Sequence, residues 1–180
     1  MNQTQLEEKL QSIINLLEKV KRIYDRGQIT NTNSKRKTIA NEYMSKILRL
    51  YLAGQSDSSL LNNSEYQEYI QQSSIILKRL IYELNNYIDD IEGELRGSFY
   101  YPEQWENSIC WRRSAIEALK EMYKNTLLEE FYYELDTEDL DDSIEMKAHK
   151  EGGLKEDQIP KGIPTSHWWW WSPEEPPISR

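Results

Sequence analysis

The chain has 180 residues, 38 % hydrophobic and 29 % charged, with a formal net charge of −9. That apolar supply suits one small helical core, and the absence of any run of about 18 apolar residues excludes a membrane-spanning helix. One cysteine and two histidines exclude an internal disulfide and a cysteine-rich metal site, and they leave little material for general-base chemistry.

Residues 4–26 carry Leu6, Leu10, Ile13, Leu17, Val20 and Tyr24 at alternating spacings of four and three, which predicts a first helix with one apolar face. A polar stretch ending in Lys35, Arg36 and Lys37 leads into a second helix at about 34–53, with Tyr43, Met44, Ile47, Leu48 and Tyr51 on one side. Ser64 with Gln67 reads as a capping box opening a third helix to about 92, through Ile70, Leu77, Leu84, Ile88 and Ile91. Pro102 suits the first turn of a fourth helix, whose core face runs Trp105, Ile109, Ile116, Leu119, Tyr123 and Leu127 until about 134. The expected fold is therefore all-α, a bundle of about four helices over residues 1–134 that folds by itself.

Beyond 134 the helical period fades. Segment 129–145 holds nine carboxylates and no base, whereas 1–128 and 146–180 are each balanced, so the whole net charge sits there. Gly152–Gly153 and five prolines follow, which predicts an acidic segment of one or two turns and then a flexible, extended arm with no packed core over 135–180. Within that arm stands PTSHWWWWSPEEPP. Four bare indole rings would make a protein adhesive, so they must fold back on the bundle, enter a partner's groove or lie in a membrane interface. Glu174 and Glu175 oppose anionic lipid, and tryptophan dominates protein interfaces. His167, Trp168, Trp169, Trp170, Trp171 and Pro173 are accordingly expected to dock a protein, with alternate rings of an extended strand mattering most.

Other candidates are weaker. Asp136, Glu138, Asp139, Asp141 and Asp142 offer an acidic interface of the kind that covers a basic site on a nucleic-acid-binding protein. Lys35, Arg36 and Lys37 offer phosphate contacts, as in a ribonucleoprotein subunit. Cys110, beside Arg112 and Arg113, is either an activated thiol or a small core residue, and its helical position favours the core. No catalytic residue, metal ligand set or cofactor is assigned. MNQTQLEEKL lacks the pattern of a signal peptide, so a cytoplasmic setting is expected. The expected function is a non-enzymatic helical adaptor or assembly subunit docking a protein partner through the tryptophan arm. An acidic, antitoxin-like inhibitor or a ribonucleoprotein subunit is the alternative.

Overall fold

In the computed structural model the structure describes residues 4–5, 7–8, 11–12, 15, 18–19, 22, 33–56, 61–78, 81–130, 135–151 and 153–171. The described positions between 4 and 22 are helical, and Lys46 Nζ donates to Ser12 Oγ at 2.6 Å, tying this stretch to the bundle. The apolar positions expected to line that first helix lie outside the described residues, as does Pro173.

The helices that follow are α1 (Asn33–Ser56), α2 (Ser64–Lys78) and α3 (Ile81–Leu95). A continuous rod comes next, made of α4 (Pro102–Trp105), a π-helical turn (Glu106–Cys110) and α5 (Trp111–Met122). The acidic region then forms α6 (Glu138–Glu151). Among the described residues there is no β-strand, only one isolated bridge, so the fold is all-α. No described helix is long and apolar enough to cross a membrane.

The core follows the periodic faces. Tyr43, Met44, Ile47 and Leu48 of α1 meet Ile70 and Leu77 of α2, Leu84, Ile88 and Ile91 of α3, and Ile109, Ile116 and Leu119 of the central rod. α1 packs along α5 and α3, and α3 also packs against α6. At one place polar groups bridge three elements: Tyr123 OH lies 2.9 Å from Ser73 Oγ and 3.5 Å from Tyr43 OH, all buried. Burial, with neighbouring Tyr123 adding to it, pushes the Tyr43 phenol well above its ordinary range.

Three sequence expectations change. Asn63, rather than Ser64, caps α2, because its Oδ1 accepts from the Tyr66 backbone N–H at 3.1 Å. The fourth helix stops at Met122 instead of about 134. Asn125 adopts the left-handed conformation at φ 65°, and the Thr126 hydroxyl folds back to the Tyr123 carbonyl at 2.7 Å. That break shifts the phase, so Leu128 is buried and Leu127 is exposed. The acidic segment is also longer than one or two turns. Leu140, Ile144 and Ala148 recur every fourth residue and bury one face of α6.

Candidate functional site: a tryptophan clasp around Ser114

Residues 153–171 return to the bundle. Gly153 at φ 82° and Gly162 at φ 89° take left-handed turns that suit glycine, and the His167 N–H closes a turn on the Pro164 carbonyl at 2.9 Å. Trp168–Trp170 form a single 3₁₀ turn, not an extended strand. The start and end of the segment then pair: Leu154 N–H donates to the Trp170 carbonyl at 3.0 Å, beside a parallel bridge between Leu154 and Trp171. The expected flexible arm without a core is thus replaced, over its described part, by a folded loop.

The 3₁₀ geometry decides which rings are buried. Trp169, Trp170 and Trp171 face inward, while Trp168 is 36 % exposed. The alternation expected of an extended strand therefore does not occur. Trp170 meets Trp111 edge-on at 4.8 Å, Trp168 meets Trp169 edge-on at 5.8 Å, and the His167 ring stacks on Trp169 at 4.9 Å. The π-helical turn contributes directly. Trp105, just before it, donates Nε1–H to the Trp169 carbonyl at 3.2 Å, and Cys110 at its end brings Sγ–H to 3.4 Å from the same oxygen.

Ser114 is the centre of the clasp, and it is fully buried. Its Oγ receives Trp169 Nε1–H at 3.0 Å and Trp170 Nε1–H at 2.8 Å, and it lies 3.0 Å from His167 Nδ1. An indole nitrogen can only donate, so the two tryptophans occupy both lone pairs of the hydroxyl. Its one proton must then go to His167 Nδ1. This fixes the neutral histidine with its proton on Nε2, an atom that is buried without a hydrogen-bond partner. Burial lowers the His167 pKa to about 4, with nearby Glu117 opposing and Arg113 reinforcing the shift.

Arg113 adds a second layer. It is buried, and its guanidinium sits 4.3 Å over the Trp169 ring. Nε and Nη2 hold the two oxygens of Asp141 at 2.6 and 2.9 Å, Nη1 holds Glu117 at 3.0 Å, and Nη2 also reaches Thr137 Oγ1 at 3.2 Å. Burial works against the guanidinium charge, but the bonds and charge of Asp141, then of Glu117, outweigh it and hold the pKa above its usual value.

The sequence candidates thus separate. Asp141 turns inward as a partner of Arg113. Asp136 is exposed and accepts the Glu138 N–H at 3.0 Å at the start of α6, and Glu138, Asp139 and Asp142 face solvent. Lys35, Arg36 and Lys37 fall in the first turns of α1, and their side chains lie outside the described residues. Cys110 is a core residue: burial, then Glu106, pushes its thiol well above the ordinary range, opposite to an activated thiol. His149 is exposed on α6, and no three His, Cys, Asp or Glu side chains among the described residues group as a metal site would. Ser114 and Thr137 belong to no motif in the sequence, and Arg113 enters there only as a neighbour of Cys110. The only available signal was a serine and an arginine at positions that the helical period places inside. Comparison with protein-family models, curated proteins and solved structures returned no match.

Proposed function

We propose that this chain is a non-enzymatic helical adaptor or assembly subunit, and that it uses its tryptophan-rich segment chiefly as an internal clasp. The observation that carries this reading is the division of labour along α6. One carboxylate, Asp141, is taken inward by Arg113, whereas Glu138, Asp139, Asp142 and Glu145 remain exposed on the same helix. The 3₁₀ turn bearing half-exposed Trp168 packs against α6. An acidic helix fixed to a rigid core, with one large ring beside it, suits a protein partner with a basic surface and an apolar cleft. The Ser114–His167 pair supports the non-enzymatic side of the reading. A hydroxyl that accepts from two buried indoles has no lone pair left for attack on a substrate.

The test compares full-length protein with two variants, Trp168→Ala and the fourfold Glu138→Gln, Asp139→Asn, Asp142→Asn, Glu145→Gln. Partners captured from a cell extract are quantified by mass spectrometry and then measured as pure pairs. The fourfold variant is expected to slow association and flatten its salt dependence, and Trp168→Ala to speed dissociation. Equal rates for all three proteins at low and high salt would overturn the proposal.

A further inference from the structure

On α1, away from the positions that meet the clasp, a groove opens against α3 and the central rod. It encloses a cavity of about 550 Å³, within the range of small-molecule sites. Asn41, Ser45 and Arg49 of α1 line one wall, and Asn107 and Arg112 of the central rod line the other. Leu48, Leu52 and the Tyr87 and Trp111 rings supply the apolar remainder.

Two of these polar groups are left incomplete. Asn41 Oδ1, an acceptor, and Arg112 Nε–H, a donor, are both buried and have no hydrogen-bond partner. Native structures rarely leave such atoms unpaired, and here the two, of opposite character, belong to side chains that line one cavity. The rest of Arg112 is held in place. Its guanidinium lies 4.8 Å over the Tyr87 ring, and Nη2 reaches the Tyr87 carbonyl at 3.4 Å and Asp90 at 3.8 Å. Asp90 offsets one of the two arginine charges. Arg49 is exposed and makes no ion pair among the described residues, so it is the cation of this wall left for a ligand. Trp111 already gives its N–H to Glu106 at 3.0 Å, and therefore offers the groove only ring surface.

We propose that this groove binds a small organic anion: one carboxylate or phosphate held by Arg49 and Arg112, on a planar body carrying a hydroxyl or N–H donor for Asn41. A single anionic group matches the one arginine of the wall, Arg49, that makes no ion pair among the described residues. An arginine edge suits either oxyanion, and the aromatic and leucine walls suit a planar body. This site is separate from the acidic face of α6, so either proposal can fail alone.

The experiment uses the full-length protein and follows the Arg112 Nε–H and Asn41 side-chain amide signals by nuclear magnetic resonance. The probes are 4-hydroxybenzoate and adenosine monophosphate, their uncharged counterparts 4-hydroxybenzamide and adenosine, and inorganic phosphate. At least one organic anion is expected to shift both signals saturably. Its uncharged counterpart and inorganic phosphate should each bind about ten-fold more weakly or worse. A carboxylate and a phosphate source are distinguished by which of the two organic probes binds. Arg49→Gln, at an exposed position, and Asn41→Asp, nearly isosteric, should each weaken that binding about ten-fold while the helical circular dichroism is unchanged. Absence of any shift with both organic anions would overturn the site. So would equal binding of the uncharged counterpart or of inorganic phosphate, or equal binding by the folded variants.

Discussion

Helices α1 to α3 and the segment 153–171 both end in the core, by different physical routes. The helices arrive there because apolar side chains recur along one face, and their backbones satisfy themselves within each helix. The tail has no such period, so its large rings are seated one at a time, and its backbone closes short turns on itself while the Trp169 carbonyl accepts from the central rod. The two buried serines show the contrast. Ser73 gives its proton to the Tyr69 carbonyl of its own helix at 2.8 Å and receives one phenol from another element. All three of the Ser114 contacts come from the tail. A hydroxyl on a helix surface thus becomes the docking point for a segment that has no regular structure of its own. Periodicity builds the first region, and a few polar anchors under large rings build the second.

The strongest way to break this comparison is to remove the tail. A chain ending at residue 152 would uncover Trp105, Cys110 and the Ser114 face of α5, all now buried. It should lose cooperative unfolding in urea, because the buried rings are worth more than the usual margin of stability, about 5 to 15 kcal/mol. A sharp transition matching that of the full chain would make residues 1–152 a self-standing bundle that does not need the clasp. Next in size is Trp170→Ala. Trp170 is fully buried and donates to Ser114, so its loss should cost about 4 kcal/mol in urea titration. A loss below about 1 kcal/mol would mean that the clasp is only lightly seated.

The same contrast explains what was legible in the sequence. The faces of α1, α3 and the central rod could be read because Ile47, Ile91, Ile116 and Leu119 keep the helical period, and each is buried. The end of α5 could not. Leu127 continues the period on paper, but the left-handed Asn125 and the Thr126 back-bond interrupt it. The π-helical turn was also invisible, since Trp105, Ile109 and Cys110 read as an ordinary apolar stripe. At the tail, composition marked the tryptophans as unusual, and cis docking was one open resolution. Their acceptor is a lone serine, a residue type too common to stand out, and only the fold brings it under the rings.

A third, smaller effect should appear with pH. His167 in the unfolded chain titrates near 6.5, whereas in the folded protein burial lowers its pKa to about 4. The folded value is the lower one, so this contribution to stability is fully present above about pH 6.5. As the pH falls the unfolded chain takes up the proton first, and about 3 kcal/mol is lost by the time the folded histidine titrates. Carboxylates elsewhere add their own slope at the acid end, so the informative quantity is the difference between the parent and His167→Gln. The variant should be less stable at neutral pH and should converge on the parent toward pH 4. Two parallel curves between pH 7 and 4 would mean that His167 takes up a proton in the clasp as readily as in the unfolded chain, contrary to the lowered pKa.

Trp168→Ala should show the smallest effect on stability, and it sharpens the comparison most. Trp168 belongs to the same 3₁₀ turn as its neighbours, and its carbonyl accepts the Trp171 N–H at 3.0 Å. That bond is made by the backbone and survives the substitution. The side chain touches Trp169 edge-on but remains 36 % exposed, and no hydrogen bond to Ser114 depends on it. Trimming it should therefore change the unfolding free energy by less than about 1 kcal/mol, a small fraction of the Trp170 value. If the ring is kept for a partner, this near-neutral variant should still dissociate faster from that partner, because interface tryptophans concentrate binding energy. A loss of stability as large as that of Trp170→Ala would place Trp168 inside the clasp and remove it from the proposed surface. Unchanged stability with unchanged dissociation would leave the carboxylates of α6 as the whole of that surface.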